Sequence, residues 1–554
     1  MQTNEPRIAD YVQRVGRKLL ATEGPAMAPL TENGRAPHIA ARVGTSYWRW
    51  ERAIDGFIRQ HEAGVQRLLE MTPGLITWGI IVLPLLLARP APLIPILIAV
   101  AFQVYWLYRG LSMLVYGGIG CLRVRVHPRI DWRARYEAER AAGKRVLPWE
   151  RIYHLVIIPN YQEPIAKLRL TLESLAAQHE VAPHIWAVLA MEGREEGAAA
   201  KARALQREFA GRLAVYYTIH PDGLPGEKPG KGPNQSWAAR WARKRLVEDR
   251  GYKVRHVVLT TCDADSVFHP DYFLCLTSKF ATDPDRYLRV WQAPVLFHNN
   301  IWQVPTFVGF MTAMGSIAQL ATLCDPQGKP FPLSTYSLSL ALADGVGYWD
   351  GDVVAEDWHM FLKCFFRRWG RVSVEPIYLP ISADAALSHG LWRTALNRYE
   401  QLKRHAWGVS DFAYAVRMYF HHAEIPATVK LPRLWALARE HLIWSTSWPA
   451  ITFGVLLPSI LNPAFAGSHL GIALARLCGA IGLVAGVLSP SLVLLDYLLR
   501  PKQPGRRWWQ GVWTAVQWVL MPVYTLAFGT LPAIDAQTRL MLGQQLAFRV
   551  TEKA

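Results

Sequence analysis

The chain has 554 residues, of which 51% are hydrophobic and only 19% are charged, whereas average protein usage is about 25% charged. This composition argues against a purely soluble enzyme, and six cysteines without any C-x-x-C spacing exclude a disulfide scaffold. The net charge of +18 would suit a nucleic acid, an anionic lipid surface or an anionic substrate. Uncharged segments of membrane-spanning length favour the lipid surface.

The first hydrophobic segments predict a helical hairpin in a membrane region over 72–122. Residues 72–88 and 90–108 carry no charge, and each is long enough to cross about 30 Å of hydrocarbon as an α-helix. Basic residues flank the hairpin on both sides, which places both flanks in the cytoplasm by the positive-inside rule. The chain begins without an apolar stretch suited to a secretory signal, so we expect residues 1–71 to be a cytoplasmic helical region.

Residues 123–409 differ from the hairpin because charge occurs throughout and no spanning segment is evident. Four short runs in this part are predicted strands, namely 153–158, 187–191, 215–218 and 257–262. Helical patterns, such as 165–178, lie between them. This alternation predicts an α/β fold in which a mostly parallel sheet domain is inserted between α-helical transmembrane segments. Its ligand site is expected at the carboxyl ends of the strands.

Hydrophobic segments return after the α/β insert. We expect interfacial helices over 410–440 and a membrane region over 441–535, with three apolar runs at 442–461, 477–499 and 508–534. Three complete crossings would leave the basic tail 536–554 outside, against its charge. We therefore predict that the last run, which a proline and a glycine interrupt, is a re-entrant hairpin and that the tail is cytoplasmic.

An acidic pair follows the fourth predicted strand. Asp263 and Asp265 lie on the loop that leaves this buried strand, two positions apart. Carboxylate oxygens at the carboxyl edge of a sheet can hold a hard divalent cation together with a substrate diphosphate. A plain turn is the alternative, since D-x-D also occurs at 283–285 and 350–352, where a central proline or glycine predicts turns. Only the pair at 263 and 265 follows a convincing strand.

A second acidic pair, Glu356 and Asp357, opens the helical pattern of residues 358–369. The pair therefore lies in the first turn, near the positive end of the helix dipole. Adjacent helical residues diverge by about 100°, so one carboxylate can face a cleft while the other orients a neighbour. This arrangement suits a single general base better than an acid and base pair. An acidic first turn without a catalytic role is the alternative.

A third group lies in 397–408, where Gln401, Arg404 and His405 share one helix face. The face offers a cation and hydrogen-bonding groups to one ligand. The alternative is a basic helix that faces lipid headgroups beside the membrane.

Taken in order, these segments resemble the membrane-embedded family 2 glycosyltransferases, the group that contains cellulose, hyaluronan and chitin synthases. The resemblance implies a GT-A-like fold for the sheet domain. It covers about 150–410 and the extreme C-terminus. The matching segments are IPNYQEP at 158–164, EKPGKGPNQ at 227–235, DAD at 263–265, WQAPVLFHN at 291–299, AED at 355–357, QLKRHAWG at 401–408 and FRVTEK at 548–553.

The resemblance implies a role for each matching residue. Asp357 is expected to be the catalytic base, assisted by Glu356, and Asp263 and Asp265 are expected to bind Mg²⁺ or Mn²⁺. His405 and Trp407 are expected to contact the acceptor. The expected donor-binding residues are Tyr161, Glu163, Glu192, Asn234, Asp263, Gln401, Arg404, Val550, Thr551 and Lys553.

Two departures from the family pattern bear on function. His405 stands where the family has a tryptophan that stacks on the acceptor. The acidic D-D-G turn of the family reads Met191-Glu192-Gly193 here, so that Glu192 is its acidic residue. We expect an inverting enzyme of the inner membrane that uses a UDP-sugar to synthesise a polysaccharide. The same enzyme is expected to translocate this polysaccharide across the membrane. The alternative is a non-processive enzyme that adds one sugar to a lipid carrier or glycolipid.

Two non-enzymatic classes are less consistent with the sequence. A transporter would carry ionisable residues inside its spans, and few occur there. A nucleic-acid-binding anchor would show a recognisable module or a basic stripe with aromatic platforms. Here the positive charge follows the membrane boundaries instead. The expected partners are therefore a nucleotide-sugar donor, a glycan or lipid-linked acceptor and the bilayer, with no nucleic acid.

Overall fold

The computed structural model describes residues 45–503 and 516–546, together with positions 505, 509 and 512. The FRVTEK segment at 548–553 therefore lies outside the described residues, as does the start of the 508–534 run. The expectations for Val550, Thr551 and Lys553 stay predictions.

A mostly parallel sheet forms the centre of the α/β part. Seven strands lie in the order β3-β2-β1-β4-β8-β6-β9, and a small sheet has the order β5-β10-β7. In the large sheet only β8 runs against its neighbours. The strands are β1 Tyr153–Asn160, β2 Ile185–Glu192, β3 Ala214–His220, β4 Val257–Thr261, β5 Val267–Phe268, β6 Arg289–Gln292, β7 Val295–Leu296, β8 Tyr336–Ser339, β9 Ser373–Pro376 and β10 Ile381–Ser382.

The four predicted strands are β1 to β4, and they pair in parallel as expected. Residues of β2 and β4 are buried on both faces, which explains their continuous apolar sequence. Helices pack on both sides of the sheet. Those of the α/β part are α5 Ile165–Ala176, α6 Ala198–Glu208, α7 Lys231–Arg243, α8 Tyr272–Thr282, α10 Leu340–Gly345, α11 Glu356–Arg367, α12 Leu391–Ala406 and α13 Asp411–His421.

Further helices precede and follow the α/β part in the chain. Before the sheet come α1 Thr45–Gln60, α2 Glu62–Leu87, α3 Leu93–Val126 and α4 Trp132–Ala141. Along the chain, α9 Thr306–Cys324 lies between β7 and β8. After the sheet come α14 Ala427–Leu461, α15 Pro463–Ala466, α16 His469–Leu499, α17 Met521–Thr525 and α18 Leu531–Met541.

Five helical segments are long and apolar enough to cross a membrane among the described residues. They are Glu62–Leu87, Leu93–Arg129, Thr306–Cys324, His469–Leu499 and Trp518–Met541. The first two cover the region where the hairpin is predicted, and the chain turns between α2 and α3. The expectation that 123–409 contains no such segment is wrong by length and composition, because α9 qualifies. Its apolar sequence has a packing role as well, since α9 is largely buried in the protein.

Close packing against α3 accounts for part of this burial. A Cβ atom at Gly120 of α3 would lie 2.3 Å from Cγ of Leu320 in α9, so glycine is needed where the two helices touch.

The C-terminal apolar runs differ in form from one another. The predicted run 442–461 is the second half of α14, which is not among the five segments. The run 477–499 lies in α16. The last segment is an irregular helix, in which a π-helical turn at Leu526–Thr530 contains Gly529. The predicted interruption is therefore present, and a re-entrant path stays a prediction.

Candidate active site

The Lys231 ammonium lies at the centre of the candidate site. Its Nζ is 3.1 Å from Oδ1 of Asp263, 3.3 Å from Oε1 of Glu356 and 3.8 Å from Oδ1 of Asp357. The lysine opens α7, Asp263 follows β4 and the other two residues open α11. Burial opposes the charge on Lys231, but the three carboxylates outweigh it and raise its pKa well above the usual value. One member of the first predicted acidic pair and both members of the second thus meet around one cation.

Ser334 joins two of these carboxylates from the loop before β8. Its backbone N–H donates to Oδ2 of Asp357 at 2.7 Å, and its hydroxyl donates to Oδ2 of Asp263 at 2.6 Å. Its carbonyl oxygen accepts from Lys231 Nζ at 3.0 Å. The backbone has a φ of +57°, a conformation that costs a non-glycine residue about 1–2 kcal/mol. The hydrogen bonds to all three polar groups of Ser334 account for its persistence.

Burial and neighbouring charges shift the pKa of Asp357, the residue predicted to be the general base. Burial raises its pKa, Lys231 lowers it, and the charge of Glu356 raises it again, so that the pKa is about 7. A carboxylate with a pKa near neutrality accepts a proton more readily than an ordinary aspartate does.

Asp265 lies deeper than Asp263. Its Oδ2 accepts from the backbone N–H of Asp384 at 2.7 Å, and its carbonyl oxygen accepts from Asn299 Nδ2 at 3.1 Å. The described residues contain no group of three His, Cys, Asp or Glu side chains arranged to hold a metal. Two neighbouring carboxylates nevertheless fit Mg²⁺ or Mn²⁺, because such ions are commonly bound by one or two carboxylates plus substrate phosphates.

Arg404 lies near the carboxylate group, as predicted. Burial lowers the pKa of its guanidinium, while the negative charges of Glu356, Asp263 and Asp357 act in the opposite direction. The carboxylates of Asp263 and Asp357 thus lie close enough to Arg404 to interact with its charge.

The two residues expected to contact the acceptor have different environments. His405 is exposed on α12. Trp407 is only 6% exposed and packs in an apolar cluster with Ala533, Ala536 and Leu540. The ring of Trp407 therefore has a packing role here, and its contact with an acceptor stays a prediction.

The residues of the IPNYQEP segment surround a different carboxylate, which sequence reasoning missed. Glu195 accepts from the backbone N–H of Gln162 at 2.7 Å and from Asn160 Nδ2 at 3.1 Å, and it pairs with Lys201. The same lysine donates to the Glu163 carbonyl oxygen at 2.9 Å. Glu195 therefore orients the loop that follows β1. Its place in the run EGREE gave no sign of this role.

Two further predicted donor-binding residues, Tyr161 and Glu192, have protein partners. Glu192, at the end of β2, pairs with Arg194, whose guanidinium lies 3.9 Å from the ring centre of Tyr161. Burial raises the pKa of Glu192 despite the hydrogen bond from Arg194. These contacts place Tyr161 and Glu192 together at the carboxyl ends of β1 and β2. Their contacts with a donor stay predictions.

Asn234 and Gln401 also bind protein groups. Asn234 is buried, and its Nδ2 donates to the Ala190 carbonyl oxygen at 2.7 Å, which fastens α7 to β2. Gln401 accepts from Arg398 Nη1 at 2.6 Å. In the EKPGKGPNQ segment, Lys231 rather than Asn234 reaches the carboxylates. The sequence analysis missed Lys231, although it is the second lysine of that segment and stands where α7 begins.

A buried ionic network supports α11 behind the carboxylates. His359 Nδ1 is 2.7 Å from Oδ1 of Asp411, and its Nε2 is 3.1 Å from Oδ2 of Asp350. Asp350 also pairs with Lys363 at 2.5 Å. Burial disfavours a charged His359, but the two carboxylates outweigh it and raise the pKa to about 9. The imidazolium therefore joins α11, α13 and the 350–352 turn.

This network predicts a pH-dependent stability. Because the folded pKa of His359 is raised, its contribution is complete below about 6.5 and is lost as the pH rises through about 9. The difference is about 3 kcal/mol at most. We expect the thermal midpoint of the wild type to fall over this window and that of His359→Gln to be lower at pH 6 and to change less. His389→Gln, at an exposed histidine, serves as the control, and parallel curves for wild type and His359→Gln would contradict the assignment.

Comparison with known proteins defines the class of this site. Residues 258–499 match the family model described as glycosyl transferase family group 2. The matched span contains Asp263, Asp265, Glu356, Asp357 and Arg404. The matched span, which is less than half of the chain, thus has the features of a glycosyltransferase family 2 domain. The protein is a glycosyltransferase.

Two solved structures illustrate what the chain is similar to. A mannosyltransferase from Pyrobaculum calidifontis, in complex with GDP-Man and Mn²⁺, is 16% identical with a TM-score of 0.44, over 81% of this chain and 100% of that one. TarS residues 1–349 from S. aureus, in complex with UDP-GlcNAc, are 12% identical with a TM-score of 0.32, over 73% and 95%. The comparison with curated protein sequences found no match.

Proposed function

We propose that this protein is a membrane-embedded, inverting glycosyltransferase that uses a nucleotide-diphosphate sugar, specifically a UDP-sugar. The observation that carries the proposal is the convergence of Asp263, Glu356 and Asp357 on Lys231, beside Arg404. A base with a pKa near neutrality and two buried cations in one region suit an in-line transfer from a diphosphate leaving group. Attack on the opposite face of the anomeric carbon inverts its configuration.

In this mechanism Asp357 takes the proton of an acceptor hydroxyl, and Ser334 holds the carboxylate in place through its N–H. Lys231 and Arg404 stabilise the negative charge that develops on the leaving diphosphate. Mg²⁺ or Mn²⁺, held by Asp263 and Asp265, would supply further neutralisation of that charge. Tyr161, Glu163, Glu192, Asn234 and Gln401 are proposed to line or support the donor site, as are Val550, Thr551 and Lys553.

Two acceptors define two candidate functions. A growing polysaccharide would make the protein a synthase of the cellulose synthase type, with export through its membrane helices. A lipid carrier or glycolipid would make it a non-processive enzyme. The burial of Trp407 and the histidine at position 405 favour the second, because neither position offers an exposed indole on which a sugar chain could stack. Product sizing separates them, since a polymer ladder indicates a synthase and a single added sugar indicates the alternative.

The proposed location is the bacterial inner membrane, with the catalytic domain in the cytoplasm. The basic flanks of the α2–α3 hairpin support this orientation, as does the cytosolic supply of nucleotide sugars that the reaction requires.

The test of the function is nucleotide release by the purified chain. We expect release from one member of a panel of UDP- and GDP-sugars in the presence of Mg²⁺ or Mn²⁺, with a product of inverted anomeric configuration. Release from a GDP-sugar alone would contradict the choice of uridine. A retained configuration would contradict the mechanism.

The metal assignment makes a separate prediction. Asp265→Ala should lose metal-dependent donor binding, because it removes one of the two carboxylates proposed to hold the cation. Calorimetric titration of the donor with and without Mn²⁺ measures this. Asp285→Ala, in the surface turn at 283–285, should bind as the wild type does. Equal donor affinity for Asp265→Ala and the wild type in Mn²⁺ would refute the assignment.

A further inference from the structure

Arg398 is a buried cation that the proposed reaction does not use. It lies in α12 and is only 5% exposed. Its Nη1 donates to Gln401 Oε1 at 2.6 Å, and its Nε has no hydrogen-bond partner among the residues that the structure describes. Burial lowers the pKa of the guanidinium to about 10, so the group is still cationic at neutral pH. A buried charge of this kind is costly unless an anion accompanies it.

The other buried cations near this part of the chain have partners of their own. Lys403, on the same helix, is 2.7 Å from Glu400 and 3.3 Å from Asp535. Lys363 pairs with Asp350. Within the described part of the chain, no carboxylate forms an ion pair with Arg398. The guanidinium therefore has the properties of an anion-binding group whose ligand is not part of the described chain.

The position of Arg398 separates it from the proposed diphosphate site. Arg398, Gln401 and Arg404 follow one another at steps of three residues along α12. The rise of an α-helix puts about 9 Å between the levels of Arg398 and Arg404. The carboxylates Asp263, Glu356 and Asp357 act on Arg404, whereas burial alone shifts the pKa of Arg398. The anion at Arg398 is thus distinct from the one beside Arg404.

The start of the same helix presents an apolar surface. Leu391 and Trp392 are 67% and 80% exposed, and Leu396 is exposed on the same part of the helix. Ala395 packs against an apolar cluster that includes Phe307 and Phe528. Both phenylalanines belong to segments that qualify as membrane spans. The exposed apolar side chains thus lie on a helix that packs beside two segments long and apolar enough to span a membrane, which makes lipid the matching partner.

We propose that Arg398, supported by Gln401, binds the phosphate of an anionic lipid that is the glycosyl acceptor, with Leu391 and Trp392 against its hydrocarbon. This rests on the proposed function and names its acceptor class. The nucleophile is a hydroxyl of that lipid and not its phosphate, because Arg398 lies about 9 Å along α12 from Arg404. The hydroxyl oxygen forms a bond to the anomeric carbon and its proton moves to Asp357. The bond from that carbon to the diphosphate oxygen breaks, and the electron pair leaves with the nucleotide.

The test measures binding of dodecyl phosphate to the full chain in neutral dodecyl maltoside micelles, by calorimetric titration. We expect Arg398→Gln to weaken binding by about 10- to 100-fold, as for loss of a charge-assisted hydrogen bond to phosphate. Arg393→Gln, at an exposed arginine of the same helix, should bind within about twofold of the wild type, since general attraction to surface charge is weak. Inorganic phosphate should bind more weakly than dodecyl phosphate.

Trp392→Ser keeps the test decisive if Arg398→Gln fails to fold, because the indole is exposed. It should weaken dodecyl phosphate binding several-fold and leave inorganic phosphate binding unchanged. The proposal would be overturned if Arg393→Gln and Arg398→Gln lost affinity for dodecyl phosphate equally. It would also be overturned if inorganic phosphate bound as tightly as dodecyl phosphate. Nucleotide release from a UDP-sugar is measured separately. Arg398-dependent binding without any release contradicts the proposed function and leaves the anion site standing.

Discussion

Replacing Asp357 by asparagine should reduce turnover by about 10²- to 10⁴-fold, the usual contribution of a general base. The amide cannot take the acceptor proton, yet it has nearly the same size and can still accept the Ser334 N–H. Donor affinity should therefore change little. Steady-state nucleotide release gives turnover, and calorimetric titration of the donor gives affinity.

The pH profile distinguishes a base from a structural carboxylate. The wild type should gain kcat/KM as the pH rises, with a midpoint near the Asp357 pKa of about 7, because only the ionised carboxylate is active. The residual activity of Asp357→Asn should not follow that curve. Glu163→Gln, at a carboxylate on the loop after β1, should keep the wild-type midpoint. Near-normal turnover by Asp357→Asn would remove this residue from the role of base.

Replacing Lys231 by methionine should lower the free energy of unfolding by about 3–5 kcal/mol, the range for breaking a buried ion pair. The substitution leaves the carboxylates of Asp263, Glu356 and Asp357 facing one another without their cation. It should also move the activity midpoint above about 7, because Lys231 lowers the pKa of Asp357. Denaturant unfolding and the pH profile measure the two effects.

The control for this prediction is Lys244→Met, at an exposed lysine after α7. Its unfolding free energy should lie within about 0.5 kcal/mol of the wild type, as for most surface substitutions. If Lys231→Met matched this control in both stability and pH midpoint, Lys231 would have no charge-balancing role. Added Mg²⁺ or Mn²⁺ should restore part of the stability of Lys231→Met, because a cation at Asp263 and Asp265 would neutralise one of the three carboxylates that lose Lys231.

The parts of the site that lie next to regular elements were predictable from the sequence. The apolar run of β4 ends directly before Asp263, and the helical period of α11 places Glu356 and Asp357 in its first turn. In each case a local pattern of burial determines where the polar residue emerges. The positions of β1 to β4 follow from the same kind of pattern, and their parallel pairing agrees with the predicted alternation of strands and helices.

Residues whose roles depend on contacts distant in sequence were not predictable. Lys231 lies in a glycine-rich segment that has the composition of a surface loop, and only the folded chain brings it to Asp263 and Asp357. His359 is one of several residues on a helix, and its partners Asp350 and Asp411 lie on two other segments. The helix α9 is a different case, because its uncharged sequence over Thr306–Cys324 was itself a local signal of a spanning segment.

Ser334 donates hydrogen bonds to one carboxylate of each acidic pair. Its hydroxyl donates to Asp263, which in the proposed mechanism lies on the side of the departing phosphates, and its amide donates to Asp357, which would lie on the side of the incoming alcohol. Neither acid can rotate far without breaking a hydrogen bond to the same amino acid. Bond breaking and proton removal are therefore geometrically tied through a single left-handed position in the backbone, one residue that contributes no charge of its own.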